Sequence, residues 1–253
     1  MLLHCCSLLG MVCRLSGINS PDVDNDNILN DDVDDVNIPM PATMPKIRSA
    51  GSPPYHHGDL RRALIDAALA LVTNEQNWAF SLRELARRAG VSHNAPYNHF
   101  SEKKELLGAV AAVGFERLRD GMLAAIAAID TPEVALITCA RTYVRLGLEN
   151  PALYRLMFGP ALSDTEYEDR PTIARSAGAE ARGVLEQIIW RGARAGVFSV
   201  SPDNSEDLAL AALSVWSAAH GLTMLIIDHL TRPDVSMEDM IERVLRTATQ
   251  GLR

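Results

Sequence analysis

Apolar residues begin to recur at helical spacing at Tyr55, and the recurrence continues to the end of the chain. In the stretch YHHGDLRRALIDAALALVTNE, Leu60, Leu64, Ala67, Ala68 and Leu71 fall at i, i+4, i+7, i+8 and i+11, one face of a helix, with Asp59 as its expected N-cap. SLRELARRAG predicts a second helix of about eight residues. Ser81 and Glu84 have the spacing of a capping box, Leu82, Leu85 and Ala86 are expected to face inward, and Gly90 supplies the stop. A third helix is predicted from Ser92 to near Phe100, after which Ser101 is expected to cap a long helix through EKKELLGAVAAVGFERLRDGMLAAIAAI. Beyond it, helices are predicted from Thr131-Pro132 to Glu149, Pro151 to Phe158, Pro171 to Ala195, Glu206 to Leu230 and Met237 to Gly251, with a polar loop before Arg170. No strand alternation and no internal repeat interrupts this pattern, so the chain reads as all-α.

The third helix contains Pro96, which lacks a donor N–H and crowds the preceding turn. With Ser92 as N-cap, Pro96 is the fourth helical residue, and only one bond, to the Ser92 carbonyl, is lost. At about 100° per residue Pro96 and Phe100 fall on one side, whereas His93, Asn94, Tyr97 and Asn98 fall on the other. That polar side suits a duplex: Asn pairs with adenine N6 and N7, His donates to or accepts from base edges, and a Tyr hydroxyl reaches phosphate. Lys103 and Lys104 add cations at the start of the next helix, where backbone N–H groups already favour phosphate. Two short helices joined by a Gly-containing turn and flanked by longer ones make a helix-turn-helix.

Charge sharpens that picture. The formal net charge is -8, which argues against nonspecific coating of nucleic acid, but residues 55–105 carry 7 basic and 6 acidic groups while the rest of the chain is acidic. Arg83, Arg87 and Arg88 flank the turn, and the same segment holds His56, His57, His93 and His99. Residues 1–54, rich in Asp, Asn and Pro after an apolar start without a basic leader, read as a disordered acidic tail, with Met40 or Met44 as alternative starts. Three domains follow: the tail 1–54, a DNA-binding head 55–103, and a helical body 104–253. Cys5, Cys6, Cys13 and Cys139 give neither a disulfide framework nor metal spacing, and Cys139 reads as a small buried hydrophobe. No phosphate loop, nucleophile elbow, HExxH motif or spaced carboxylate pair is present, so no catalytic residue, metal or cofactor is expected. The block ALAALSVWSAAHGLTMLII, residues 209–227, is long enough to span a membrane, yet it holds polar residues and lacks basic flanks. It reads as a buried or dimer-facing helix; the alternative is a helical interaction module or membrane-associated adaptor.

The segment FSLRELARRAGVSHNAPYNHFSEKKELLGAV resembles the DNA-binding head of tetracycline-repressor-like (TetR) bacterial transcriptional regulators. The matching positions are Ser81, Ala86, Ala89-Gly90-Val91-Ser92, Tyr97, His99-Phe100, Lys103 and Leu106, and the departure is Pro96, where the family more often has Leu. YHHGDLR, ENPALYRLMFG and the combination of Trp216, His220 and Gly221 resemble the subgroup whose ligand domain is named for a Trp-His-Gly motif. The resemblance implies a cytoplasmic, ligand-responsive repressor, a homodimer through its last two long helices that binds a palindromic operator and is released by a small-molecule effector. It implies DNA contacts within Ser81 to Phe100 and just beyond, from Ser81, Arg83, His93, Asn94, Ala95, Tyr97, Asn98, His99 and Lys103. Candidate ligand contacts are Tyr143, Tyr154, Met157, Phe158, Trp216 and His220; the last two share a helix face at i, i+4. Gly221 is expected to permit close helix approach.

Overall fold

Eight α-helices and two 3-10 turns, and no strand, make up the described residues 57–76, 78–162, 169–231 and 234–252 of the computed structural model. The expectations for the tail 1–54, for Cys5, Cys6 and Cys13, and for starts at Met40 or Met44 lie outside the described residues.

The first helix, α1 (His57–Asn74), buries Leu64, Ala68, Leu71 and Val72. It starts two residues before Asp59, which therefore lies in the first turn rather than at the N-cap. In α2 (Leu82–Arg88) the Ser81 side chain accepts from the Glu84 N–H at 3.1 Å, half of the expected box. The Glu84 carboxylate pairs instead with Arg88, at 3.2 Å. Gly90, at φ +68°, ends the helix: its N–H donates to the Arg87 carbonyl and that of Val91 to Ala86, a Schellman closure that a side chain would strain.

The element after this turn is where the structure departs most from expectation. Residues Ala95–Asn98 form a single 3-10 turn with Asn94 as N-cap, not an α-helix from Ser92. The cause is Pro96. It has no N–H to offer the Ser92 carbonyl four residues back, and that carbonyl accepts instead from Ala95, three residues on from it, at 3.0 Å. Normal i→i−4 bonding is reached only at Phe100, whose N–H donates to Pro96 at 2.9 Å. Ser101 does not cap the next helix either. Glu102 takes that position, and the Ser101 N–H donates to the Glu105 carboxylate at 2.7 Å.

The long α3 (Lys103–Ile126) passes from the head into the body. There it packs against α4 (Pro132–Glu149), α5 (Pro151–Phe158) and α6 (Thr172–Arg194). Pro132 at N1 and Pro151 at N1 start α4 and α5 where their missing donors cost nothing. The body closes with α7 (Ser205–Ile227), capped by the Asn204 side chain, and α8 (Met237–Gln250), capped by Ser236. Both pack against α4, and Arg145 on α4 pairs with Glu238 on α8 at 2.7 Å.

By length and composition α7 could cross a membrane, but it forms part of this helical core, burying Ala211, Ala212, Val215, Ala219, Leu222, Thr223 and Ile226. Its opposite side leaves Leu210, Leu213 and Leu225 exposed. Gly221 is not a point of helix approach within the chain, since an added Cβ would meet nothing within 4 Å. The tight crossing lies at Gly147 on α4, where a Cβ would come within 2.6 Å of Thr223 Cγ2 and 2.9 Å of the Tyr154 ring.

Candidate nucleic-acid interface and ligand cavity

In the head, the 3-10 turn keeps the division of faces expected from the sequence. Pro96 and Phe100 are buried, whereas His93, Asn94, Tyr97 and Asn98 are exposed, Tyr97 by 47%. The turn is pinned from below: Phe100 is 2% exposed, and the Arg61 guanidinium lies over its ring at 5.2 Å. The four exposed side chains make no hydrogen bond to other described residues, leaving their donors and acceptors available to base edges or phosphates. Ala95 and His99 are half-buried at the margins of this face, and Ser81 and Arg83 are exposed on α2 and its cap.

The arginines divide by task. Arg88 pairs with Glu75 just past α1 and with Glu84, tying α2 to the end of α1; its carboxylate partners, the Glu75 hydrogen bond first, raise its pKa. Arg83 and Arg87 are exposed with no carboxylate partner among the described residues. Lys103 is half-buried, its ammonium 5.2 Å from the centre of the Phe80 ring, and burial lowers its pKa. It thus belongs partly to the packing of α3 on the segment that precedes α2, while remaining at the N-terminus of a 24-residue helix.

The body holds an apolar cavity of about 240 Å³ between α3, α4, α5, α6 and α7. Five of the six candidate ligand residues line it: Tyr143, Met157, Phe158, Trp216 and His220. The sixth, Tyr154, stands behind them, its hydroxyl bonded to His220 Nδ1 at 2.7 Å and to the Tyr143 hydroxyl at 2.8 Å. Trp216 Nε1 donates to the Tyr143 oxygen at 3.0 Å, and Tyr143 also lies 3.1 Å from His220 Nδ1. Trp216 and His220 do share a face, with ring centres 5.7 Å apart, and Phe158 meets the His220 ring edge-on at 4.7 Å.

Burial pushes the hydroxyl of Tyr143 up to about 12 and raises that of Tyr154, so both are neutral donors at physiological pH. The same desolvation lowers the pKa of His220, which is therefore a neutral imidazole. Cys139 lines the cavity as the small hydrophobe expected, its thiol pushed by burial up to about 12 and hence unreactive.

Several lining residues were not foreseen. Phe115, Leu118 and Met122 come from α3, Gly178, Ala181, Arg182 and Leu185 from α6, and Arg170 from the segment between α5 and α6. The α3 and α6 residues carry only the ordinary helical pattern, which does not distinguish a cavity wall from solid core. Arg170 had no signal in spacing: its guanidinium donates to the carbonyls of Met157 at 2.7 Å, Phe158 at 3.0 Å and Gly159 at 2.9 Å, closing the C-terminal end of α5.

Comparison with known proteins finds two family matches along the chain. Residues 64–110 match the family described as bacterial regulatory proteins, tetR family, and residues 136–248 match the tetracyclin repressor-like C-terminal domain. The HTH-type transcriptional regulator BetI of Rhizobium meliloti (strain 1021) is 35% identical over 85 residues, 34% of this chain and 42% of that protein. An uncharacterized HTH-type transcriptional regulator of Haemophilus influenzae is 47% identical over 47 residues, 18% of this chain and 23% of that protein. The chain therefore spans less than half the length of these curated relatives. Among solved structures, a protein of unknown function from Rhodococcus sp. RHA1 superimposes with a TM-score of 0.66 at 28% identity, over 79% of this chain and 99% of that one. The TetR family regulator PfmR from Thermus thermophilus gives 0.53 at 24%, over 75% and 98%, and shows the fold alone.

Proposed function

Because the chain belongs to the tetracycline-repressor family of bacterial regulators, we propose that it is a cytoplasmic repressor that binds a palindromic operator as a homodimer and is released by a small-molecule effector. The observation that carries this reading is the conjunction of an exposed, unpartnered polar turn in the head with an apolar cavity in the body. In this reading 55–103 is the DNA-binding head, 104–253 the ligand-binding and dimerisation body, and 1–54 an acidic tail. Asn94 and Asn98 read bases, Tyr97 and Lys103 hold phosphate, and Ser81, Arg83, His93, Ala95 and His99 complete the interface. The effector sits among Tyr143, Met157, Phe158, Trp216 and His220, with Tyr154 behind. The adjacency of Trp216 and His220 at the cavity supports placing the chain in the Trp-His-Gly subgroup.

Dimerisation through α7 and α8 would cover Leu210, Leu213 and Leu225 on α7 and Met237 and Val244 on α8, large apolar side chains that one chain leaves exposed. That same cover accounts for the apolarity of α7 without a membrane, and Gly221 would meet a partner helix there. Half-sites about one helical turn, roughly 34–36 Å, apart require a fixed separation of the two heads, so an effector that changes it slightly releases the DNA.

Electrophoretic mobility shift and fluorescence anisotropy on the DNA upstream of its own gene test this. Sequence-selective binding that weakens steeply with salt is expected. Absence of selective binding at low salt overturns the reading.

A further inference from the structure

We propose that the cavity takes a planar aromatic molecule carrying a carbonyl or carboxylate oxygen, and that the Nε2–H of His220 donates to that oxygen. The inference rests on the reading of this cavity as the effector site and specifies its ligand.

The direction of the hydrogen-bond chain carries the argument. Trp216 Nε1–H can only donate, so the Tyr143 oxygen is its acceptor. The Tyr143 proton then needs an acceptor of its own, and those within reach are the Tyr154 oxygen and His220 Nδ1. The Tyr154 proton goes to His220 Nδ1 at 2.7 Å. We assign the chain the direction from Trp216 through Tyr143 and Tyr154 to His220, in which every hydroxyl proton has an acceptor and Nδ1 carries none. A neutral imidazole whose Nδ1 accepts bears its proton on Nε2. That Nε2–H has no partner among the described residues, and His220 lines the cavity. Three residues from three helices thus fix one ring so that it presents a donor, never an acceptor, to whatever occupies the space.

The rest of the lining sets the other requirements. The walls are aromatic and aliphatic, with Phe115, Phe158 and Trp216 among them. The volume of about 240 Å³ exceeds the ~150 Å³ that holds one benzene in an apolar cavity, leaving room for one ring and a polar substituent. Among the described residues no Asp or Glu lines it, whereas Arg170 and Arg182 do, with Arg182 3.6 Å from Glu186. A cationic ligand would lose its water there without gaining a counter-charge.

Three probes of nearly the same shape separate these demands: acetophenone, with an acceptor; ethylbenzene, with none; and α-methylbenzylammonium, a cation. Calorimetric titration of the full chain should find acetophenone about tenfold tighter than ethylbenzene, the worth of one neutral hydrogen bond, and no ammonium binding. The carbonyl stretch of bound acetophenone should lie below its position in an apolar solvent, a readout that needs no variant. In His220→Phe acetophenone should fall to the level of ethylbenzene while ethylbenzene binding persists. A wild-type preference under about threefold, ammonium binding equal to that of the ketone, or an unshifted carbonyl stretch overturns the proposed class. A ketone preference that survives in His220→Phe overturns the assignment to His220. Operator release is measured separately: acetophenone that binds but leaves the operator complex intact speaks against the effector reading while the ligand class stands.

Discussion

Gly147 and Gly221 are both helical glycines on facing or neighbouring elements, and their surroundings assign them opposite roles. A methyl at Gly147 would press into Thr223 and the Tyr154 ring, whereas one at Gly221 would meet nothing in the same chain. Gly147→Ala should therefore lower the melting temperature, because overpacking costs about 1–3 kcal/mol and the helix-propensity gain of about 1 kcal/mol does not offset displacement of a hydrogen-bonded tyrosine. Gly221→Ala should not lower the stability of the isolated chain, and any effect should appear only in association. Differential scanning calorimetry with light scattering distinguishes the two. His220 makes a second prediction at this scale. Its titratable neighbours, Tyr143, Tyr154 and Cys139, are all neutral at pH 7, and among the described residues no carboxylate lines the cavity to hold its proton. Its folded-state pKa lies below the ordinary 6.5, so as pH falls the unfolded chain takes the proton first. The stability it contributes is present above about 6.5 and lost below. Between pH 7 and 5 wild type should lose more melting temperature than His220→Phe, and equal losses would remove His220 from this role.

Among the elements, the turn at Pro96 and the exposed side of α7 are the two that the proposed function assigns to interactions outside one chain. Arg87 and Arg88 are adjacent in sequence, yet Arg88 is spent on Glu75 and Glu84 and Arg87 is not. Arg87→Ala should reduce operator affinity for all sequences and lower the slope of log affinity against log salt by about 1, measured by anisotropy. Arg88→Ala should instead loosen the junction of α1 and α2, visible in faster amide exchange there. On α7, Leu213→Asp places a charge in the stripe formed with Leu210 and Leu225, and sedimentation equilibrium should then report a monomer that has lost operator binding. The helices themselves were legible because apolar spacing and prolines mark them: Pro132 and Pro151 both stand where a helix starts, whereas the Asn204 and Ser236 caps come from the structure. The 3-10 turn was not legible as such. Spacing says which side of a short element is buried, and Pro96 and Phe100 are buried as expected. But a proline one turn in can be absorbed by losing a bond or by tightening the helix, and periodicity over eight residues does not decide between them.

At the scale of the whole molecule, the question is how a ligand among Phe158 and Trp216 could be felt by Tyr97. Helix α5 is placed to answer it, because Met157 and Phe158 at its C-terminal end line the cavity while the helix also packs on α1 in the head and on α3, which runs between head and body. It is anchored by two different means. Asp228, after α7, pairs with Arg155 at 2.5 Å, and the Arg170 guanidinium gathers the three carbonyls at the C-terminus. The candidate pocket residues were legible as aromatic and Met positions, but Arg170 was not, because its partners are backbone atoms that no residue pattern encodes. A ligand that displaced Phe158 would work against the Arg170 bonds at the end of α5, a helix that also packs on α1. Arg170 also lines the cavity, so Arg170→Leu is expected to change acetophenone affinity itself; with ligand saturating it should leave the head able to bind operator yet weaken the dependence of operator binding on ligand. Coupling is reciprocal, so the factor by which ligand lowers operator affinity must equal the factor by which operator lowers ligand affinity. Measured both ways, by anisotropy with saturating ligand and by calorimetry with saturating operator, the two factors should agree in wild type and fall together toward one in Arg170→Leu. If the variant keeps the full wild-type factor, α5 and its C-terminal anchor are not the route by which the body addresses the head.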